Sequence, residues 1–72
     1  MKYNFNRVFQ ENPNGTLSPR MNINVNGIMF SPGASFGPGV SFGGVDFHQY
    51  KYFDIEADEK EGILEIKGFY KQ

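Results

Sequence analysis

Met21-Asn22-Ile23-Asn24-Val25-Asn26-Gly27-Ile28-Met29-Phe30 is the stretch that decides the fold class. Met21, Ile23 and Val25 alternate with Asn22, Asn24 and Asn26. A period of two puts successive side chains on opposite faces of a strand. Asn26-Gly27 then supplies two residues that tolerate φ > 0, which is what a two-residue hairpin turn with the twist of its flanking strands requires. Such a turn pairs Val25 with Ile28 and Ile23 with Phe30, and it sets Met29 opposite Asn24 on the other face.

Downstream lies a tandem repeat. Pro32-Gly33-Ala34-Ser35-Phe36-Gly37 is followed directly by Pro38-Gly39-Val40-Ser41-Phe42-Gly43, and a shortened third copy reads Gly44-Val45-Asp46-Phe47. Each Pro-Gly suits the centre of a type II turn. The segment therefore reads as very short strands between turns, or as an ordered loop pinned by its Phe side chains. Two complete copies are too few to build a solenoid. It is not a phosphate-binding loop either: no Lys lies between Lys2 and Lys51, and no Gly-Lys-Ser/Thr ending opens a helix. Phe36 and Phe42 either close one end of the fold or are offered to a partner.

Alternation continues on both sides. Tyr3, Phe5 and Phe9 make residues 2–9 a first strand, with Val8 at a bulge. Residues 11–15 form a turn cluster. Thr16 to Ser18 extend briefly, and Pro19 confines that piece to an edge or a kink. Val45 to Ala57 reads as one long strand bent near His48–Lys51. Asp58 to Gly62 is a charged turn, and Leu64, Ile66 and Tyr70 lie on a last strand. Joining the apolar faces sets Ile55 beside Leu64 and Phe53 beside Ile66. The same register sets Asp54 near Glu65, Tyr52 near Lys67 and Tyr50 near Phe69. A one-residue slip would bury the charges. No ten-residue stretch carries a helical stripe. The expected fold is all-β: residues 1–72 as a single domain of five to six short antiparallel strands, closed into a small barrel or packed as a sandwich.

The chain has 72 residues, no Cys, one His, eight Phe and four Tyr. So short a chain buries a modest fraction of its surface and needs help from a partner chain or an unusually aromatic core. Disulfides and thiolate metal sites are excluded. The formal charge of −1 gives no field for steering polyanions. It is unevenly spread: residues 1–45 carry +2 and residues 46–72 carry −3, so the halves attract each other. Met1-Lys2-Tyr3-Asn4 leads into no apolar run, and no stretch reaches transmembrane length. The expectation is a cytoplasmic protein without a membrane partner.

Three constellations invite a chemical reading. Asp54, Glu56, Asp58 and Glu65 fall at positions 1, 3, 5 and 12 of a calcium-loop spacing, but Glu59 stands where that loop needs Gly. No metal and no cofactor is expected. His48 with Asp46 and Asp54 would need Ser35 or Ser41 as a nucleophile, in an order unlike a nucleophile elbow, so no catalytic residue is assigned and the chain is read as a non-enzyme. The third constellation is aromatic. His48, Tyr50, Tyr52 and Phe69 share the strand face opposite Phe53 and Ile55. They form a second small core, a contact between copies of the chain, or a surface on which bases or sugar rings stack. The Asn rows (Asn4 and Asn6; Asn22, Asn24 and Asn26) add amides that both donate and accept.

Val45-Asp46-Phe47-His48 is similar over four residues to the second aromatic motif of the cold-shock barrels. The basic, aromatic first motif of that family has no counterpart, since Ser35-Phe36-Gly37-Pro38-Gly39 holds no Lys, and no family is assigned. The expected role is a small non-catalytic interaction module that self-associates through its aromatic strand face. The alternative is binding of single-stranded nucleic acid or carbohydrate, with nucleic acid disfavoured by the acidic second half. The binding residues named by the sequence are His48, Tyr50, Tyr52, Phe69, Phe36 and Phe42.

Overall fold

A computed structural model describes residues 1–70. In chain order the elements are β1 (Lys2–Tyr3), α1 (Phe5–Val8), β2 (Phe9–Glu11), β3 (Leu17–Pro19), β4 (Ile23–Val25), β5 (Ile28–Phe30), a 3-10 helix (Phe47–Tyr50), β6 (Ile55–Lys60) and β7 (Ile63–Phe69). The β4–β5 hairpin has the register that Asn26-Gly27 dictates: Ile23 faces Phe30, Asn24 faces Met29 and Val25 faces Ile28. Asn26 at φ 53° and Gly27 at φ 87° make the turn.

The fold is mostly strand, but it is neither a closed barrel nor purely antiparallel. Among the described residues seven strands form a five-stranded sheet, ordered β1-β6-β7-β4-β5, and a separate β2–β3 hairpin. β4 and β7 run parallel, with Ile23 beside Leu64 and Val25 beside Ile66. Parallel neighbours need a long crossover, and here the repeat segment, the 3-10 helix and β6 supply it. β6 and β7 form the expected hairpin in a different register. The turn is only Glu61-Gly62, both at positive φ, so residues 58–60 belong to the strand. Glu65 therefore faces Asp58 rather than Asp54, a slip of four residues. An even slip keeps every side chain on its own face, and Ala57, Leu64 and Ile66 stay buried. A bulge between Glu56 and Ala57 then brings Ile55 opposite Phe69.

Two expected strands are broken. Residues 2–9 are strand only at Lys2–Tyr3. Asn4 then accepts a hydrogen bond from the Asn6 amide (3.0 Å) and caps the single turn α1. Phe5, Val8 and Phe9 are spaced i, i+3, i+4, which is one face of a helical turn, and all three are buried. Residues 45–57 are not one strand either: Asp46 accepts from the His48 amide (3.1 Å) and starts the 3-10 helix.

All eight phenylalanines join one network of ring contacts. Phe36 is its hub, with ring centroids 6.3 Å from Phe9, 5.2 Å from Phe30, 4.5 Å from Phe42 and 4.9 Å from Phe47. Phe42 and Phe47 of the later copies thus both meet Phe36 of the first, and the segment is an ordered loop pinned by aromatic rings. The copies are not equivalent. Only Pro38-Gly39 has the positive φ of a type II turn (76°), while the first is closed by the Ala34 amide donating to the Ser31 carbonyl (2.9 Å). Phe36 is buried and Phe42 half-buried. Leu17 and Phe36 exchange backbone hydrogen bonds, tying the β2–β3 hairpin to the repeats.

Candidate ligand-binding cleft

The segment 46–54 turns the predicted aromatic row in different directions. A 3-10 helix repeats every three residues, so alternation no longer holds its side chains on one face. Tyr50 stacks on Phe69 with centroids 4.4 Å apart and planes 10° from parallel. Tyr52, at φ 69°, goes elsewhere: its ring meets Phe5 edge-on at 6.0 Å and its hydroxyl donates to Glu11 (2.8 Å). His48 is half-buried, with Nε2 2.8 Å from the Phe36 carbonyl oxygen. That contact requires the proton on Nε2, so the ring donates there and fastens the start of the 3-10 helix to the first repeat. Phe36 is 1% exposed and has no surface for a partner. Of the six residues singled out by sequence, Tyr50 and Phe69 share a cavity; His48, Tyr52, Phe36 and Phe42 do not line it.

That cavity is a cleft of about 470 Å³, lined by Tyr50 and Phe69 together with Asn26, Asp46, Gln49 and Lys67. One wall is a two-residue hairpin in which Phe42 and Val45 exchange backbone hydrogen bonds across Gly43-Gly44 (2.7 and 3.0 Å). Both glycines have positive φ, and a Cβ on Gly43 would come within 2.8 Å of the Val25 carbonyl oxygen. Glycine here lets the hairpin lie directly on β4. The Asn26 side chain donates to the Gly43 carbonyl (2.6 Å), which leaves its own oxygen as an acceptor. Lys67 is paired with Glu65. The neighbouring carboxylate holds the Lys67 ammonium above its ordinary pKa, through the hydrogen bond first and the charge second. The polar side chains of the cleft thus combine acceptors, the Asn26 oxygen and the Asp46 carboxylate, with the Gln49 amide, which both donates and accepts, and a cation, Lys67, that is paired. Gln49 and Lys67 carry no signal of their own in the sequence, because nothing local shows that the 3-10 turn brings Gln49 to the cleft that Lys67 lines from β7.

Two other polar regions are internally satisfied. Glu11 receives Lys51 Nζ at 2.6 Å and the Tyr52 hydroxyl, which lower its carboxyl pKa in that order. The same pair raises Lys51. With Lys2–Asp54 (3.5 Å), it links the basic and acidic halves of the chain. A larger hollow of about 690 Å³ lies along the β2–β3 hairpin. There the Asn12 amide donates to Thr16 (3.0 Å) and Ser18 (2.8 Å), and Thr16 donates to Asn14 (2.7 Å). Its polar groups chiefly hold the turn. Among the described residues no three His, Asp or Glu side chains converge as metal ligands, and no helix is long and apolar enough to cross a membrane.

No protein family, curated protein or solved structure matches this chain.

Proposed function

We propose that the chain is a non-catalytic binding domain that takes a neutral carbohydrate in the Tyr50–Phe69 cleft. The observation that carries this reading is the composition of the cleft: a stacked aromatic pair beside amide and carboxylate acceptors, with its cation paired. An aromatic ring offers a flat, electron-rich surface to C–H groups, and sugar hydroxyls donate to amide and carboxylate oxygens. A phosphodiester chain needs unpaired cations instead. The test is titration of the isotope-labelled domain with cellotetraose, maltotetraose, chitotetraose and hexathymidylate, watched through backbone amide shifts. The expected result is that at least one glycan moves the amides around Gln49, Tyr50, Lys67 and Phe69, that hexathymidylate does not, and that Tyr50→Ala abolishes the response. Silence with all three glycans removes the carbohydrate reading, and a response to hexathymidylate alone replaces it with nucleic-acid binding.

Self-association is a second reading, favoured by a different surface from the aromatic row. β5 ends the sheet, carries no charge, and leaves Ile28 and Met29 half-exposed. Uncharged open edges pair with other strands. Light scattering over a concentration series tests it: a monomer throughout ends this reading, and a dimer abolished by Met29→Lys supports it.

A further inference from the structure

A second hollow adjoins the cleft. It measures about 380 Å³, and it shares Asn26, Ile66 and Lys67 with the first while adding Asn24, Gly27 and Glu65. The shared residues lie on the β4–β5 turn and β7, next to the parallel β4–β7 pair in which Asn24 faces Glu65 and Val25 faces Ile66. The two hollows differ in chemistry. The first has Tyr50 and Phe69; the second has no aromatic residue in its lining.

We infer that the two hollows are consecutive subsites for a linear neutral oligosaccharide, with one sugar ring against Tyr50 and Phe69 and the next held by hydrogen bonds at Asn24, Asn26 and Glu65. This rests on the carbohydrate reading of the cleft. Asn26 stands at the junction, where its amide nitrogen is committed to Gly43 and its oxygen remains an acceptor. Asn24 is held just as firmly: its oxygen accepts from the Gly27 amide (2.9 Å), and its nitrogen lies 3.6 Å from the Met29 sulfur. A carbonyl oxygen with one donor keeps a second lone pair. Each subsite acceptor is therefore fixed in place before a ligand arrives, which lowers the ordering cost of binding. The second subsite offers acceptors at Asn24, Asn26 and Glu65 to hydroxyl donors, with the Lys67 ammonium paired to Glu65 beside them.

Two hydrogen bonds toward the low end of the ordinary net range correspond to about a tenfold gain in affinity. The experiment compares each glycan that binds with its monosaccharide, in the native chain and in two variants. Asn26→Gly removes the junction amide and still accepts the positive φ of the turn; Glu65→Ala removes the carboxylate of the second hollow. The expected result is that the tetrasaccharide binds about tenfold more tightly than the monosaccharide and moves the amides of Asn24, Gly27 and Glu65. Glu65→Ala then loses part of that gain while keeping the monosaccharide's affinity, whereas Asn26→Gly, at a residue shared by both hollows, weakens both ligands. Equal affinity for the two ligand lengths, with shifts confined to Gln49, Tyr50 and Phe69, overturns the second subsite and leaves the cleft reading standing. No shift with any glycan overturns both.

Discussion

Phe36 and Phe42 hold the same place in successive copies of one hexapeptide, and the fold treats them differently. Phe36 is fully buried and meets four other rings, whereas Phe42 is half-buried and meets Phe30 and Phe36. Removing a fully buried ring by Phe→Ala costs about 3–5 kcal/mol. A domain of 72 residues holds about 4–11 kcal/mol in all, at about 0.05–0.15 kcal/mol per residue. Phe36→Ala therefore removes from about a quarter to all of the stability, a fall of about 3–5 M in urea midpoint at an m-value of about 1 kcal/mol/M. Phe42→Ala gives up a smaller area and costs about 1–2 kcal/mol. With an m-value of about 1 kcal/mol/M, the low end for small domains, its urea midpoint falls by about 1–2 M and the fold survives. Phe36→Leu keeps the volume better and gives a measurable midpoint if the alanine variant does not. The assay is urea unfolding read by far-UV circular dichroism and by tyrosine fluorescence, the chain having no Trp. Equal midpoints for the two alanine variants, or a lower one for Phe42→Ala, would refute the unequal roles of the two repeats.

Gly43→Ala places a methyl against the Val25 backbone at a positive φ, whereas Gly33→Ala meets open space at an ordinary φ. The first is expected to destabilise by more than about 1 kcal/mol and the second to be neutral or slightly stabilising; thermal melts that rank them the other way contradict the close approach of the Gly43-Gly44 hairpin to β4. Glu11 has a folded pKa below its unfolded one, so its contribution is present above the ordinary carboxylate range and is lost as pH falls through the folded pKa. Glu11→Gln is expected to lower stability at neutral pH and to flatten the acid limb of a stability-versus-pH curve, and an unchanged acid limb would mean that the Lys51 and Tyr52 contacts contribute nothing.

The parts of this fold that were readable are those whose cause is local. Asn26-Gly27 specifies its hairpin because both residues accept positive φ, and the register follows from turn length alone. Glu61-Gly62 is the same kind of turn, but Glu at φ 55° carries no such signal, so the charged run hid how short the loop is. The helical spacing of Phe5, Val8 and Phe9 was present and lost to the alternation of Tyr3 and Phe5. Asp46 was a legible cap for a turn of helix, and reading through it as strand put His48 and Tyr52 on one face with Tyr50. Tyr50 does meet Phe69, as the hairpin register had it, although a 3-10 turn and not strand pairing brings them together. The parallel pairing of β4 with β7 has no local cause at all, and the cleft it underlies was out of reach for that reason.

That pairing also governs how the chain acquires its structure. The β4–β5 hairpin can close within microseconds, yet its inner strand has no second neighbour until residues 63–69 arrive. Contacts so remote in sequence carry a high loop-closure entropy, which moves folding toward the millisecond-to-second range typical of non-local topologies. Until β7 docks, the Phe-rich repeats lack part of their cover: Phe47, for one, has no Phe69 ring to meet. A chain cut short of β7 would lose Leu64 and Ile66 from its core and Phe69 from its ring network, so the docking of this last strand is the step that commits the chain to its fold.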